Sequence, residues 1–272
     1  MRDLEGPLLL VGCGKMGSAM LAGWLDRGLD PIETHVIEPN RAVLGSLAEL
    51  GVCHHAEGGA LPQRLQPRVV VLAVKPQMMD AALPHYRRFV GPGTLFLSIA
   101  AGKTIAYFER GLGEAAIVRA MPNTPAAIGR GITVACANGR VSADQRELAD
   151  QLLKAVGEVA WVEDESLIDP VTALSGGGPA YVFLLIEYLA EAGVAAGLPP
   201  DLAKRLARVT VSGAGELARQ SQEPVEQLRQ NVTSPGGTTL EALKILMAED
   251  GLKPLLVKAI AAATRRSREL AS

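Results

Sequence analysis

Three glycines near the start of the chain have the spacing of a dinucleotide-binding turn. Gly12, Gly14 and Gly17 follow a short apolar run and precede a helical pattern. In that setting the first glycine permits a tight turn, the second lets the backbone approach a pyrophosphate, and the third lets the helix pack on the strand. The alternative is a glycine-rich turn without a ligand. We predict that a nicotinamide dinucleotide binds here, at Gly12, Cys13, Gly14, Lys15, Met16 and Gly17.

The second predicted strand ends in Glu38, at the distance from the glycines where the adenosine ribose is usually read. A carboxylate there accepts hydrogen bonds from the ribose hydroxyls of NADH, whereas Asn40 and Arg41 would suit the 2′-phosphate of NADPH. The two interpretations conflict, because a carboxylate repels a phosphate. An equal alternative is that Arg41 only begins a helix. We expect tolerance of both NADPH and NADH.

Three later loops follow predicted strands and should border the same cofactor. Ligands of open α/β sheets bind outside the carboxyl ends of the strands. Pro122 and Pro125 stiffen the third loop and should hold Asn123 in one pose. The predicted cofactor contacts from these loops are Ala73, Val74, Lys75, Pro76, Ala100 and Asn123.

Two further glycine-rich turns lie in the second half of the chain. Ser175–Pro179 and Ser234–Thr239 each lead into a helical pattern and combine glycines with hydroxyl side chains. Free N–H groups at a helix N-terminus bind anions, so the two turns predict sites for a small carboxylate substrate. The alternative is that they only cap their helices.

Proton donors are scarce around these turns. The helix predicted over Ala180–Ala196 contains no Lys or His, and all four histidines lie in the first half of the chain. Reduction of a carbonyl needs a donor to neutralise the alkoxide, whereas a cyclic imine can be protonated before hydride arrives. The composition therefore favours a C=N substrate, although Tyr181 and Lys75 leave the question open.

Short apolar strands alternate with helical patterns up to Val162, which predicts an α/β fold with a mostly parallel sheet covered on both faces. Helical patterns alone follow from about Pro179, so the boundary is predicted near Glu163–Glu165. The expected domains are residues 1–163 and 164–272. The predicted strands are Leu8–Val11, His35–Glu38, Val52–His54, Val69–Val74, Leu95–Ser98, Ile117–Ala120, Ile132–Ala135 and Val159–Val162. The predicted helices are Lys15–Arg27, Arg41–Leu50, Met78–Val90, Ala143–Val156, Ala180–Ala196, Pro200–Gln220, Thr239–Glu249 and Lys253–Leu270.

Composition narrows the class of protein. The chain has 272 residues, of which 27 are basic and 29 acidic, so no basic excess points to nucleic acid. Three widely spaced cysteines indicate neither a disulfide framework nor a metal site. Glu187 and Glu191 interrupt the most apolar run, Val182–Val194, and no signal peptide is evident. We expect a cytoplasmic protein without a membrane span, whose apolar helices form a homodimer.

Six segments, in order and spacing, resemble pyrroline-5-carboxylate reductase. The likeness covers essentially the whole chain. Two of the segments, Arg119–Ala126 and Thr233–Thr239, are much more specific to the family than a dinucleotide turn is. It implies an N-terminal Rossmann-type domain, a C-terminal all-α dimerisation domain, and NADPH- or NADH-dependent reduction of a cyclic imino carboxylate to L-proline. The segments are Gly12–Gly17, Ala73–Gln77, Ser98–Gly102, Arg119–Ala126, Ser175–Phe183 and Thr233–Thr239.

The resemblance also implies roles for individual residues. Thr239 resembles the hydroxyl that meets the substrate nitrogen, and Thr172 lies in the segment that lines the active site, so both are expected to be catalytic. Gly177 stands where the family commonly has Ser. The family's dimers often assemble as decamers of five dimers. The implied substrate-binding residues are Ser175, Ser234, Gly236, Gly237, Thr238 and Thr239.

Two other functions are compatible with the same two-domain organisation. One is a β-hydroxyacid dehydrogenase or another imine reductase, but the lysine expected on the first long helix of its second domain has no counterpart in Ala180–Ala196. The other is a dinucleotide-sensing protein without catalysis. Glycine-rich turns in both halves of the chain argue against the second rival.

Overall fold

A computed structural model describes residues 4–271, and its first part is built on one eight-stranded sheet in the order β3-β2-β1-β4-β5-β6-β7-β8. Each pair of neighbouring strands is parallel except β6 and β7, which are antiparallel. The strands are β1 (Leu8–Val11), β2 (Thr34–Ile37), β3 (Cys53–His55), β4 (Val69–Leu72), β5 (Leu95–Ser98), β6 (Ala116–Met121), β7 (Gly131–Ala137) and β8 (Gly157–Trp161).

The predicted mostly parallel sheet is therefore confirmed, and the predicted strand ends are shifted by no more than two residues. The antiparallel pair has a simple cause. A parallel connection needs a crossover of a dozen or more residues, usually a helix. Only a short 3₁₀ segment, Thr124–Ile128, joins β6 to β7, so the chain turns back on itself. The longer connection through a helix makes β8 parallel to β7 again.

The helices, in chain order, form two groups. The first five accompany the sheet, and the last five follow it. They are α1 (Lys15–Asp26), α2 (Met79–Ala82), α3 (Ile105–Leu112), α4 (Ala143–Lys154), α5 (Ile168–Val171), α6 (Gly178–Ala195), α7 (Pro200–Gln220), α8 (Val225–Asn231), α9 (Thr238–Leu246) and α10 (Leu252–Ala271).

Both faces of the sheet are buried, as near-continuous apolar strands require. Alternate residues of β1 enter different cores: Leu10 packs in one with Trp24 of α1, and Leu9 packs in the other with Phe108 of α3. The Trp24 indole N–H donates to the carbonyl of Leu152 at 2.8 Å and so ties α1 to α4. Packing on both faces therefore holds the sheet in place, and the carboxyl ends of its parallel strands lie along one edge.

Two predicted helices are wrong in detail. Arg41–Leu50 is a 3₁₀ stretch interrupted at Gly45, whose φ of 52° and ψ of −131° are not helical. Met78–Val90 is divided into short 3₁₀ and α pieces, with Pro84 at the start of the last one. Proline removes a backbone donor and glycine permits a positive φ, so both stop a regular α-helix. The helices α3, α5 and α8 were not predicted.

The chain divides into two compact units. The first comprises residues up to Gly176 together with 263–271, and the second comprises Gly177–Ala262. The division lies later than the predicted change near Glu163–Glu165, because Ile168 of α5 is buried in a core of the sheet. Ser267, near the end of α10, donates to Asp169 at 2.7 Å within the first unit. The domain assignment of 1–163 and 164–272 stays a prediction.

The second unit is helical throughout and exposes much of its apolar surface in the single chain. Large side chains of α6, such as Phe183 and Tyr188, are each 58% exposed. The helical run Glu165–Ala195 is long and apolar enough to cross a membrane by length and composition alone, with a mean hydropathy of 1.2. Soluble proteins rarely expose such a patch unless it is an interaction surface. The expected absence of a membrane span stays a prediction.

Candidate functional site

The turn between β1 and α1 has the geometry that its glycines predict. Gly12 has a φ of +91°, and a Cβ built on it would lie 2.9 Å from Val74. A Cβ on Gly17 would overlap the carbonyl oxygen of Gly12. Both positions therefore need glycine, the first for its conformation and for close packing, the second for the contact between helix and strand.

Gly14 is different, because its glycine is not needed for packing. Its φ is −63°, and a Cβ built on it would meet nothing within 4 Å. It is the N-cap of α1, and no side chain caps the helix. The N-terminus of α1 therefore has no side-chain cap, and the space that a side chain of its N-cap residue would occupy is open. A pyrophosphate fits this arrangement, since it needs backbone donors and close approach.

Cys13 lies between these glycines, and its side chain is fully buried. Burial raises the pKa of the Cys13 thiol to about 11, with a further contribution from the Glu38 carboxylate. The thiol is therefore protonated at neutral pH. A thiolate is the nucleophilic form of cysteine, so Cys13 contributes to this site through its backbone and its packing.

Glu38 follows β2 and turns its carboxylate toward the same turn. The backbone N–H of Cys13 donates to Oε2 at 3.0 Å, and that of Asn40 donates to Oε1 at 3.2 Å. The Asn40 side chain caps the next 3₁₀ segment by accepting from the N–H of Ala42 at 3.1 Å, and Arg41 is exposed. Of the predicted ribose-reading residues, Glu38 is the one that the structure places against the glycine turn.

Three neighbouring strands bring their carboxyl ends to the edge where β1 ends. Val11 is paired with Leu72 of β4, and Leu72 is paired with Ser98 of β5. The loops that follow therefore begin side by side. Ala73, Val74 and Pro76 are half-buried, Lys75 is exposed, and Ala100 is buried.

Asn123 follows β6, and its side chain contacts the next strand. Its side-chain oxygen accepts a hydrogen bond from the backbone N–H of Ile132 at 3.0 Å. That contact fixes the loop after β6 to the start of β7. Ser98 of β5 is paired with Arg119 of β6, so this loop starts at the same edge as the others.

The segment Thr172–Gly176 is a π turn that joins α5 to α6. Gly177 lies between this turn and α6 and has a φ of −82° and a ψ of −20°. Helix α6 then begins at Gly178, with Pro179 in its first turn. Gly177 is the N-cap of α6 and no side chain caps it, so the predicted helix end is present, and the binding of an anion there stays a prediction. Single π turns inside α-helices are frequent at functional sites.

The hydroxyls of this π turn donate to their own helical segment. Thr172 donates to the carbonyl of Ile168 at 2.7 Å, and Ser175 donates to that of Val171 at 3.1 Å. Each oxygen keeps lone pairs that can accept a hydrogen bond. A group bound beside Thr172 would therefore meet an acceptor rather than a donor.

The turn Ser234–Thr239 belongs to the second unit and does form a helix N-terminus. The N-cap of α9 is Gly237, without a side-chain cap, and Gly236 has a φ of +69°. A Cβ on Gly237 would lie 2.6 Å from Ser234 Oγ, which can rotate away, so the positive φ of Gly236 is the stronger requirement for glycine in this turn. Thr238 and Thr239 are exposed in the first turn. The predicted anion site therefore has suitable geometry at this turn.

An ion pair that the sequence analysis did not single out lies beneath the loop after β6. Arg119 Nη1 and Glu165 Oε1 are 2.7 Å apart, and Arg119 is buried. An arginine within the apolar strand Ala116–Met121 is the signal that could have found it. Such a residue is rarely buried without a partner.

Two family models match the chain. The model described as pyrroline-5-carboxylate reductase dimerisation matches residues 165–270. The model described as NADP oxidoreductase coenzyme F420-dependent matches residues 8–102, which include the glycine turn and Glu38. The first match begins at the end of the sheet, and the second covers the first five strands.

Solved structures agree in fold along nearly the whole chain. A pyrroline-5-carboxylate reductase from Coxiella burnetii has a TM-score of 0.89 at 38% identity, covering 98% of this chain and 99% of that one. The Plasmodium falciparum enzyme, solved with NADP bound, has a TM-score of 0.83 at 30% identity, with 98% and 99% covered. A prephenate dehydrogenase from A. aeolicus shares only the fold, with a TM-score of 0.54 at 15% identity.

Sequence comparison gives the same family over the same length. A pyrroline-5-carboxylate reductase from Escherichia coli is 33% identical, with 98% of this chain and 99% of the relative covered. One from Pseudomonas aeruginosa is 40% identical over 269 residues, with 97% and 96% covered. With likeness at this level from end to end, the chain belongs to the pyrroline-5-carboxylate reductase family.

Proposed function

We propose that this protein reduces 1-pyrroline-5-carboxylate to L-proline with NADPH or NADH, the last step of proline biosynthesis. The observation that carries the proposal is the 40% identity to the Pseudomonas aeruginosa reductase across 97% of the chain. The geometry supports it, because the dinucleotide turn has glycine at Gly12 and Gly17, where a side chain would clash with backbone, and the turn before α9 has glycine at Gly236, where φ is positive.

The first unit would hold the dinucleotide at the carboxyl edge of its sheet. The N-terminus of α1 binds the pyrophosphate, and Glu38 faces the adenosine ribose. The loops around Ala100 and Asn123 border the nicotinamide, which supplies the hydride when bound. The remaining contacts come from Lys15, Met16, Asn40, Arg41, Ala73, Val74, Lys75 and Pro76.

The second unit would hold the carboxylate of the imino acid. The uncapped N–H groups at the start of α9 favour an anion, and the helix dipole adds to this preference. Ser234, Gly236, Gly237 and Thr238 form the binding turn. Thr239 meets the ring nitrogen.

The substrate is most readily reduced as an iminium, and this suits the hydroxyls near the π turn. Thr172 already donates its proton to Ile168, so it can serve a protonated ring only as an acceptor. Ser175 is arranged in the same way toward Val171. These groups orient a cation that is protonated before reduction, and catalysis rests on orientation and charge complementarity.

The protein would act as a homodimer, and five dimers would form a decamer. The matched dimerisation model covers the helices whose apolar side chains are exposed in the single chain. A second copy of this surface would bury them, which makes a lipid-facing role for Glu165–Ala195 unnecessary. We place the enzyme in the cytoplasm, with a small-molecule substrate and without nucleic-acid or membrane partners.

The test is turnover by the purified full chain. Oxidation of NADPH and of NADH would be followed by the absorbance of the reduced nicotinamide, with 1-pyrroline-5-carboxylate as substrate and L-proline identified as product. Stoichiometric L-proline is the expected result. A folded protein that binds dinucleotide but yields no L-proline would contradict the proposal and favour a sensing role.

A further inference from the structure

A buried ion pair connects the strand beneath the predicted nicotinamide loop to the segment that carries Thr172. Arg119 lies in β6 and is 3% exposed, and its Nη1 is 2.7 Å from Oε1 of Glu165. Glu165 begins the helical run that leads through α5 to the π turn. The reduction as proposed above assigns no part to either side chain.

One carboxylate oxygen of Glu165 joins three parts of the chain. Besides Arg119, Oε1 accepts the backbone N–H of Ile105 at 2.8 Å. Ile105 is the first residue of α3, so the carboxylate sits at that helix's N-terminus, where a negative charge is favoured. α3 follows the loop after β5, which includes Ala100. The loop after β5, strand β6 and the segment after Glu165 therefore meet at a single atom.

Strand β6 also contacts the far end of the same segment. A Cβ built on Gly176 would lie 2.6 Å from Met121 Cε, so the π turn packs closely on the last residue of β6. Between the two contacts, Ile168 and Ala173 are buried. The segment is thus attached to β6 at its beginning and at its end, with Thr172 between them.

From this geometry we propose that Arg119 and Glu165 are positioning residues for the reduction, an inference that rests on the proposed function. Their ion pair sets where Thr172 and Ser175 lie relative to the loop that continues β6 into Asn123. Neither side chain touches the reacting atoms. Displacing a site by about 1 Å can lower turnover about a hundredfold, so a rigid attachment has a kinetic consequence.

Stability alone does not account for this pair. A buried ion pair is often no more stabilising than apolar side chains of similar volume, whereas removing one partner leaves a buried charge and is strongly destabilising. Arg119 Nη2 is buried and has no hydrogen-bond partner among residues 4–271, which lowers the net gain further. Two apolar side chains would fill the same space, but they would offer no oxygen to accept hydrogen bonds from both the Ile105 N–H and the Arg119 guanidinium of β6.

The experiment separates position from stability with three variants: Arg119→Met, Glu165→Met and the double variant. Each single variant should lower the melting temperature, because it leaves one charge buried. The double variant should recover most of that temperature while its kcat stays about tenfold below wild type and its dinucleotide Kd stays within about twofold. Arg119→Lys, which keeps the ion pair, should restore part of kcat. Arg140→Met is the matched control, since Arg140 is exposed and pairs with Glu114.

Recovery of kcat together with melting temperature in the double variant would overturn the proposal and leave the pair a purely structural one. Amide hydrogen exchange gives a readout that does not depend on activity. The Ile105 amide and the backbone of residues 165–176 should exchange faster in the double variant than in wild type, and unchanged exchange would also overturn it. If wild type yields no L-proline, the proposed function fails, and the exchange rates show separately whether the ion pair holds residues 165–176 in place.

Discussion

The backbone N–H of Cys13 donates to the carboxylate of Glu38, with 3.0 Å between the nitrogen and Oε2. This bond joins the end of β2 to the middle of the glycine turn. It holds a negative charge beside the position where the adenosine ribose is expected. A ribose with two hydroxyls can donate to that carboxylate, whereas a 2′-phosphate would be repelled by it. The contact therefore bears directly on the choice between NADH and NADPH.

Replacing Glu38 with serine should shift the preference toward NADPH. The variant removes both the acceptor for the ribose and the repulsion of the 2′-phosphate. We expect the ratio of kcat/KM for NADPH over NADH to rise about tenfold, equivalent to ~1.4 kcal/mol. Glu33→Ser, at the opposite end of β2, is the matched control and should leave the ratio unchanged. A ratio that is equal in both variants would remove Glu38 from the ribose site.

Gly12 and Gly14 should respond differently to alanine. Gly12 has a positive φ and is packed against Val74, so Gly12→Ala should lower the free energy of unfolding by about 2 kcal/mol. Gly14 has open space around it, so Gly14→Ala should leave that free energy nearly unchanged. Its methyl group would occupy the approach of the pyrophosphate and should weaken dinucleotide binding about tenfold or more.

Denaturant unfolding and dinucleotide titration of both variants test this separation. Tight dinucleotide binding by a stable Gly14→Ala protein would contradict the assignment of the pyrophosphate to this turn. Loss of stability in Gly14→Ala would instead show that the space around the residue is not available.

Short-range patterns made most of the fold predictable. The strand β1 and the glycines after it form one local unit, and their spacing determines both structure and ligand. The break at Gly45 and the short pieces around Pro84 were predicted as regular helices, because apolar periodicity does not reveal where a glycine takes a positive φ. Contacts between distant segments, such as that of Arg119 with Glu165, leave almost no trace in a local pattern.

The two glycine-rich turns of the second half show the same limit within one motif. Ser175–Pro179 and Ser234–Thr239 have similar compositions and each begins a helix, but a π turn leads into the first helix, whereas the extended Gly237 precedes the second. In the first, α5 already supplies helical backbone before the glycines, so the chain continues through a π turn. Whether helical backbone already precedes a glycine cluster depends on the packing of α5 against the sheet.

Thr239→Ala should lower turnover while leaving cofactor binding nearly intact. Thr239 lies in the first turn of α9, within the second unit, whereas the dinucleotide turn lies in the first. We expect kcat/KM for the imino acid to fall about tenfold or more, as for loss of a hydrogen bond to a charged group. Steady-state kinetics and dinucleotide Kd measure the two effects. Thr210→Ala, an exposed threonine of α7, is the control. Equal losses of turnover and dinucleotide affinity would exclude the role of Thr239.

The stacked histidines at the edge of the sheet should make stability depend on pH. His35 Nδ1 and His55 Nε2 are 2.9 Å apart, so one ring nitrogen must donate and the other must accept. Burial, and then the neighbouring His55, lowers the pKa of His35; burial, and then His54, lowers the pKa of His55. The folded state therefore binds fewer protons than the unfolded state just below the ordinary pKa of 6.5.

The contribution of these histidines to the free energy of unfolding should accordingly be fully present above about pH 6.5. It should fall as the pH drops toward the lowered pKa values of the folded state. The free energy of unfolding in urea, measured between about pH 7.5 and pH 5, should decrease in wild type. His55→Gln should reduce that slope, whereas His85→Gln, at an exposed histidine, should not. A slope that is the same in all three proteins would contradict the role of the pair.

An acidic residue in the exposed apolar face of α6 should prevent association. Leu185 is 48% exposed in the single chain and lies among other exposed apolar residues of that helix. Burying a carboxylate at such an interface without a partner is strongly unfavourable, so Leu185→Asp should be monomeric at micromolar concentration. Light scattering measures the mass, and Gln222→Asp, at an exposed position outside the helices, is the control. If wild type is monomeric and instead floats with lipid vesicles, the apolar face of α6 contacts a membrane and the proposed dimer is wrong.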